Sequence, residues 1–323
     1  MSFGEISTEP AVLLTGATGF IGRTLLQRLQ EKQIRVHVLS RHDFQEGPDQ
    51  EGIVPFQGDI GDAMLLDEAC RGVDTVFHLA AYAHVNHHDT ETMRTVNVEG
   101  THTLLEAAIR NGVRRIVFIS SVLAQASPEA MTPYGQAKLD AETLLLDACR
   151  QGLIEVCCLR PANVYGLGMK GNLLSMIRLM SRGWMPPLPT PSAALSLVGN
   201  RDLCEAALLA AASPAANGQV YPVTDGKTYS FKGLEVSVRR ALGKAPARWQ
   251  LPLPAFWCAF AGLELVSRLL RLPNAPGLRS YRVLTRDSVV SCEKIQQELG
   301  YNPAGSFNDE LPGIVEQLAR ERA

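Results

Sequence analysis

VLLTGATGFIGRTLLQRL, residues 12–29, runs an apolar strand pattern into an amphipathic helix pattern and puts Gly16, Gly19 and Gly22 at the junction. A chain that must turn sharply after a strand, bring its backbone close to a bulky anion and then pack a helix tightly on a sheet needs residues without Cβ. The anion would sit at the helix N-terminus, where backbone N–H groups point outward. Taken alone, the same glycines also fit a tight strand-to-helix turn with no ligand.

At 323 residues and 46% hydrophobic content, the chain can bury a large core in one large or two smaller domains. A formal net charge of −2 and the absence of a long basic run give no electrostatic support to nucleic-acid binding or a polybasic membrane role, which leaves small-molecule chemistry. Cys70, Cys149, Cys157, Cys158, Cys204, Cys258 and Cys292 are scattered without CxxC spacing. MSFGEISTEP at residues 1–10 has neither a basic start nor an apolar signal core, so a reducing cytoplasm is the expected setting. LPLPAFWCAFAGLELVSRLL, residues 251–270, is the most membrane-like stretch, but two prolines, Glu264 and Arg268 interrupt it short of a spanning length. It reads as a buried or surface-seated helix.

Apolar, β-branched runs (AVLLT, IRVHVLS, DTVFHLAA, RRIVFIS, IEVCCLRP) alternate with helical patterns over 62–71, 90–111 and 135–151. That alternation predicts an α/β fold, a doubly wound parallel sheet with helices on both faces. After Pro161 the texture changes to glycine and proline punctuation with isolated helices near 172–182, 201–212, 231–242 and 255–270, the pattern of a smaller lobe. GQVYPVT at 218–224 reads as a late strand returning to the main sheet, and 307–321 as a closing amphipathic helix.

TGATGFIG follows a strand and opens a helix, the context a dinucleotide fingerprint requires. Dinucleotide folds that take NAD usually end the second strand with an acid that binds the ribose hydroxyls, whereas this strand ends in Ser40 followed by Arg41. Without the carboxylate a 2′-phosphate meets no repulsion, and the guanidinium can hold it, so NADP is favoured and NAD stays possible. Arg41 as a solvated side chain, or stacked on adenine, is the alternative.

In TPYGQAKLDAETLLL, Tyr134 and Lys138 lie four apart on one helix face. A phenol that exchanges protons with a carbonyl or alcohol must come down from a pKa of about 10, and a nearby cation does this. One unit charge near 4 Å, at an effective dielectric of 20, is worth about 4 kcal/mol, roughly three pKa units before screening. VFISSVLAQAS ends another strand with Ser120 and Ser121, whose hydroxyls could donate to a developing oxyanion or simply cap the turn.

The ordered motifs TGATGFIG, GDI (58–60), HLAA (78–81), VNVEGT (96–101), ISS, YGQAK and RPANVYG (160–166) resemble the extended short-chain dehydrogenase/reductase family of NAD-dependent epimerases and dehydratases. VYGLGMKGNLLSMIRLMSRG, YPVTDGKTYSF and CEKIQQELGYNP are similar to bacterial nucleotide-sugar 4-epimerases and 4-ketoreductases of surface-polysaccharide synthesis. The resemblance implies a Rossmann domain over 1–165 and a substrate-binding lobe over 166–323. It implies that Gly16, Gly19 and Gly22 line the pyrophosphate, that Thr18, Phe20 and Ile21 also bind the cofactor, and that Asp59 and Ile60 contact adenine. Leu79, Ala80 and Ala81 would pass the nicotinamide-side ribose, which Lys138 would also hold, with Pro161 and Val164 along the nicotinamide. Tyr134 would be the acid/base, Ser121 the hydroxyl partner and Asn97 a helix-distorting support. His84, Asn163, Asn172 and Arg282 would face a UDP- or dTDP-sugar, and the helices over 90–111 and 135–151 could pair in a homodimer or pack internally.

Two departures from the family pattern stand out. Only 13 positions separate Ser121 from Tyr134, about half the usual spacing, which shortens the loop over the substrate. In ALSLVGNRDL, Leu195 stands where relatives carry an arginine for the nucleotide diphosphate, and Arg201 where they carry an acid. Lys170, Asn172, Arg201 and Arg282 are the candidate replacements, Asn172 and Arg282 first. His84, His87 and His88 cluster as part of a zinc shell would, but no matching cysteine or carboxylate set accompanies them, and no metal is expected. Oxidoreduction of a hydrophobic ketone or alcohol, favoured by Leu195 and the 251–270 segment, and a non-catalytic dinucleotide sensor remain as alternatives.

Overall fold

The computed structural model describes residues 11–42, 44, 52–82, 89–185, 188–189, 193–245, 252–269 and 277–321. The first half runs β1 (Ala11–Thr15), α1 (Phe20–Glu31), β2 (Val36–Ser40), β3 (Ile53–Gln57), α2 (Ala63–Ala69), β4 (Val73–His78), α3 (Thr90–Arg94), α4 (Gly100–Arg110), β5 (Arg115–Ile119), α5 (Pro133–Arg150) and β6 (Glu155–Pro161). The second half adds β7 (Asn163–Tyr165), α6 (Asn172–Arg182), β8 (Ala194–Gly199), α7 (Asn200–Ala212), β9 (Gln219–Val223), β10 (Thr228–Ser230), α8 (Phe231–Ala241), α9 (Leu253–Leu269), α10 (Leu278–Thr285), α11 (Glu293–Leu299) and α12 (Phe307–Arg320).

The chain divides into two compact units. The first comprises Met1–Arg160, Leu203–Pro222 and Glu293–Tyr301; the second comprises Pro161–Asp202, Val223–Cys292 and Asn302–Ala323. The main sheet has the order β3-β2-β1-β4-β5-β6-β9, with β1 to β6 parallel. β1, β2 and β5 are buried along their whole length, which explains their uninterrupted apolar runs. Leu66, Leu104, Leu105, Ile116, Phe118 and Leu145 anchor the core that α2, α4 and α5 share with the sheet. The strand order reverses between β1 and β4, and in open α/β sheets that reversal opens a crevice at the strands' carboxyl ends.

β3 is absent from the strand pattern read in the sequence. Its half-exposed residues and Pro55 suit the sheet edge, where a strand lacks one partner and proline costs no ladder bond. Arg115 inside β5 is 1% exposed, yet it is paired with Glu155 and donates to the carbonyls of Ala210, Ala211 and Ser213. A buried guanidinium is tolerable because each of these bonds replaces water, and here it caps the C-terminal end of α7. α4 and α5 pack on each other within the chain. The second unit holds its own three-stranded sheet, β10-β8-β7, which the sequence pattern did not reveal.

Candidate active site

The glycine loop shows why two of its three glycine positions exclude a side chain. Gly16 has φ +77°, and a Cβ there would lie 2.8 Å from the Ala80 nitrogen and 2.9 Å from the Leu79 carbonyl carbon. A Cβ on Gly22 would fall on the Gly16 carbonyl oxygen and 2.8 Å from the Ala17 Cα, so α1 can approach β1 only as it stands. Gly19 is different: a Cβ would meet only the Gly16 oxygen, at 3.1 Å. Gly19 is also the N-cap of α1, where no side chain caps the helix. The loop thus leaves one glycine surface open at a helix N-terminus, and it fits a dinucleotide pyrophosphate. Thr18 is exposed, Phe20 and Ile21 are half-buried, and the Thr18 carbonyl accepts from Arg23 Nε at 3.1 Å.

Opposite Gly16, a hydrogen-bond chain fixes the segment after β4. Thr15 Oγ1 accepts from the Leu79 and Ala80 amides at 3.2 and 3.1 Å and lies 2.8 Å from His78 Nδ1. His78 Nε2 is 2.9 Å from Thr101 Oγ1, which itself donates to the Asn97 carbonyl at 2.7 Å. With the Thr101 hydrogen committed, the network assigns the proton to His78 Nε2 and makes Nδ1 the acceptor. Burial, with the Lys138 cation adding to it, pulls the imidazole down to about 3, so it stays neutral at physiological pH. Asn97 lies in a π-helical turn, Thr95–Glu99, and exchanges two bonds with the Tyr82 backbone, 2.7 and 3.2 Å. This is the helix distortion expected there, and it secures the end of the stretch containing Leu79, Ala80 and Ala81.

Asp59 is exposed and its Oδ1 accepts from the Gly61 amide at 2.9 Å. Ile60 is buried against Gly100, where a Cβ would come within 2.5 Å of the isoleucine. Ser40 is buried at the end of β2, and Arg41 after it is exposed.

Tyr134 and Lys138 start α5. Thr132 caps this helix, its Oγ1 accepting from the Gly135 amide at 3.0 Å, and Pro133 follows in the first turn. Gly135 admits the 3-10 turn Val122–Gln125, since a Cβ would lie 2.5 Å from the Leu123 oxygen. Lys138 is 2% exposed; its Nζ donates to the Ile119 carbonyl at 2.8 Å and sits 4.5 Å from the Phe118 ring centre and 6.0 Å from that of Tyr134. Glu142, one turn further and also buried, is held by Arg160 through bonds of 2.9, 3.2 and 2.5 Å. Burial pulls Lys138 down to about 8 against the opposing pull of Glu142, while it pushes Tyr134 up to about 12. The lowering of Tyr134 expected from the Tyr/Lys spacing is therefore not produced by the protein alone. Desolvation outweighs an ammonium that lies 6.0 Å from the ring and bonds to a carbonyl instead.

Ser121 Oγ accepts from the Leu123 amide at 3.2 Å, which leaves its own hydrogen to donate. Ser120 Oγ is buried and makes no hydrogen bond among the described residues. The glycine loop, the Leu79–Ala81 segment, Ser120, Ser121, Tyr134 and Lys138 all belong to the first unit. Glu142, Arg160 and the Thr15–His78–Thr101 chain were not singled out in the sequence, because their partners are 18, 63 and 23 positions away.

Pro161, Asn163, Val164, Asn172, Leu195, Arg201 and Arg282 belong to the second unit. Pro161 is buried, Val164 half-buried and Asn163 exposed. Asn172 is exposed at the start of α6, and Arg201 and Arg282 are exposed on α7 and α10. Leu195 is 3% exposed within β8, paired with Tyr229 of β10. Asp202, the neighbour of Arg201, is buried and accepts from the Ala304 amide at 3.0 Å. Asp225 accepts from the Tyr165 and Tyr229 hydroxyls at 3.1 and 2.6 Å, and with burial it pushes both phenols up. His84, His87 and His88 lie outside the described residues.

Residues 12–224 match a family described as the NAD dependent epimerase/dehydratase family. UDP-glucose 4-epimerase of Vibrio cholerae is 32% identical, covering 83% of this chain and 88% of that protein. N-acetyl-alpha-D-glucosaminyl-diphospho-ditrans,octacis-undecaprenol 4-epimerase of Escherichia coli O157:H7 is 30% identical over 75% of this chain and 76% of its own length. Among solved structures, a UDP-glucose 4-epimerase with UDP-glucose from Thermotoga maritima superposes with a TM-score of 0.73 at 23% identity, covering 97% of this chain and all of that one. A dTDP-glucose 4,6-dehydratase from Streptomyces venezuelae gives 0.76 at 23% identity, covering 97% and 98%. At that identity the structures establish the Rossmann-type fold and nothing finer.

Proposed function

Because this chain belongs to the NAD dependent epimerase/dehydratase family, we propose that it epimerises a nucleotide sugar at C4, with Ser121, Tyr134 and Lys138 as its reactive side chains. The observation that carries this reading is Tyr134 at the head of α5 with Lys138 buried one turn below, in the same unit as a glycine loop shaped for a dinucleotide. The two curated relatives described above are both 4-epimerases. When bound, the dinucleotide supplies the hydride acceptor and donor and, in its oxidised form, a positive charge beside the phenol. Ionised beside that charge, Tyr134 Oη would take the C4 hydroxyl proton as C4 loses its hydride, and would return it when the hydride comes back to the other face of the keto sugar. Ser121, with its hydrogen uncommitted, donates to the same substrate oxygen. Lys138 would hold the nicotinamide ribose and keep a cation one turn below Tyr134. The reading places the enzyme in a reducing cytoplasm, in keeping with seven free cysteines, four of them fully buried in the core of the first unit or beside it.

Incubating the protein with a panel of UDP- and dTDP-linked sugars tests the assignment. The expected result is interconversion of C4 epimers with no net change in cofactor absorbance. Stoichiometric cofactor oxidation with a 4-keto sugar would make it a reductase. Turnover of an uncharged hydrophobic ketone, with no UDP binding at millimolar concentration, would replace the nucleotide-sugar reading altogether.

With Leu195 buried at the position where the family resemblance implies an arginine, the two diphosphate charges of the substrate need another donor, since burying them unpaired would cost several kcal/mol. The proposal gives this role to Asn172, at the start of α6, and to exposed Arg282. Arg282→Ala is expected to raise the Kd for a UDP-sugar about tenfold, roughly 1.4 kcal/mol, and to leave dinucleotide affinity unchanged. Calorimetric titration of UDP into the cofactor-loaded protein reads both; an unchanged UDP affinity removes Arg282 from the site.

For the cofactor, the proposal is that NADP binds more tightly than NAD, supported by Ser40 in place of an acid and by the exposed Arg41 guanidinium. Arg41→Ala should then narrow the gap between the two. Equal affinities in the parent protein at one ionic strength would assign the site to NAD, the cofactor in the family's description.

A further inference from the structure

Helix α9 turns its sequence inside out. Phe256 is buried, and Phe256 and Phe260 pack against Tyr281 of α10 with ring centres 5.9 and 6.4 Å apart. The only carboxylate of α9, Glu264, also points to α10, its Oε2 accepting from the Leu278 amide at 2.9 Å. The opposite face presents Trp257, Leu263, Leu265, Val266 and Leu269, with Leu265 60% and Leu269 74% exposed. No outward side chain described on α9 is charged. Water-soluble helices show the reverse arrangement, and a contiguous apolar patch of this kind marks a surface that something covers.

Charge selects the occupant. Among the described side chains of α9, α10 and the residue that ends α10, Arg282 and Arg286 are exposed and Glu264 is the only carboxylate, in a chain whose net charge is −2. Glu264 is already engaged, so a second copy apposing this face would bring arginines to arginines and offer no counter-ion. An anionic lipid surface offers both an apolar layer and negative headgroups. No helix among the described residues is long and apolar enough to cross a membrane, and α9 at 17 residues spans about 25 Å, short of a bilayer core. A helix with an apolar face, an interfacial tryptophan and flanking arginines instead lies in the plane of the headgroups.

We propose that the α9–α10 surface docks this protein on anionic phospholipid membranes, with Trp257, Leu263, Leu265, Val266 and Leu269 entering the acyl boundary and exposed Arg286 meeting the headgroups. The cluster is a local one, which the near-neutral charge of the whole chain conceals. With Arg282 left to the substrate, the inference is independent of the substrate reading, since membrane docking involves neither the glycine loop, nor Tyr134, nor Arg282.

Flotation of the full-length protein with vesicles tests it. The protein should rise with phosphatidylcholine vesicles containing phosphatidylglycerol, stay down with phosphatidylcholine alone, and be released as salt is raised from about 0.1 M toward 1 M, where screening shortens from ~10 Å to ~3 Å. Leu265→Glu combined with Val266→Glu should lower the floated fraction at least tenfold, and Trp257→Ser separately by several-fold, with far-UV circular dichroism and turnover unchanged. Arg286→Gln should weaken flotation on anionic vesicles only. Failure of the parent protein to float with anionic vesicles, or undiminished flotation of the double variant, overturns the proposal. So does a solution dimer of the parent that the double variant splits, because the face would then be covered by a second copy.

Discussion

Tyr134→Phe is expected to lower kcat by roughly a thousandfold while leaving dinucleotide affinity within a factor of two, because it removes one oxygen and keeps the ring. General acid–base groups contribute about 10²- to 10⁴-fold. The middle of that range is expected here, since the other described titratable side chains beside Tyr134 are engaged: His78 is held neutral with both nitrogens bonded, and the Lys138 ammonium is bound to the Ile119 carbonyl. A variant that keeps a tenth of the parent kcat would falsify the proton-transfer role. Lys138→Met should instead damage turnover and cofactor binding together.

The same geometry fixes the pH dependence. Tyr134 is pushed up to about 12, so in the protein alone it is a phenol throughout the physiological range and is competent as the acid of the reductive half-reaction. Lys138 titrates near 8, its cation present below that pH and lost as pH rises through it. The alkaline limb of kcat/KM is therefore expected near 8, where the group under the phenol loses its charge. A profile flat to pH 10 would mean that Lys138 keeps its proton and that burial is not what sets its titration.

Much of this was legible in residues 12–29 and in the alternation that follows them, because a parallel strand buried on both faces has to be apolar without interruption. The helix expected over 172–182 is α6, residue for residue. β3 escaped because its exposed edge tolerates Pro55 and polar neighbours, so no periodicity marks it. The Tyr134/Lys138 pair could be read because helical spacing is local, whereas Glu142–Arg160 and Thr15–His78–Thr101 join residues that only the strand order brings together. The direction of the Tyr134 shift was misjudged for a related reason. Spacing gives a charge its distance along the helix, but it does not reveal that the Ile119 carbonyl takes the ammonium or how much water is excluded from the ring. The segment 251–270 reads as a buried or surface-seated helix, and which of its faces is turned outward depends on the rings of Phe256, Phe260 and Tyr281.

Gly22→Ala carries the second large effect, and it separates packing from binding in the glycine loop. The new methyl would clash with the Gly16 carbonyl oxygen and approach the Ala17 Cα to 2.8 Å, and both obstacles are backbone. Neither can rotate away, so the first turn of α1 must lift from the end of β1, at the cost of about 1–3 kcal/mol typical of overpacking or more. Lifting it also displaces the helix N-terminus, so dinucleotide affinity should fall at least a hundredfold, about 2.7 kcal/mol, and Tm should drop by several degrees. Gly19→Ala provides the contrast, because its methyl would touch only the Gly16 oxygen at 3.1 Å and otherwise face open space at the N-cap. That variant should keep the parent Tm to within about two degrees and still lose tenfold or more in dinucleotide affinity, since the methyl occupies the path of the pyrophosphate. Thermal melts with calorimetric titration of the cofactor read both quantities for both variants. If Gly19→Ala binds as tightly as the parent, the pyrophosphate does not cross the loop there, and the open glycine surface belongs to the turn alone.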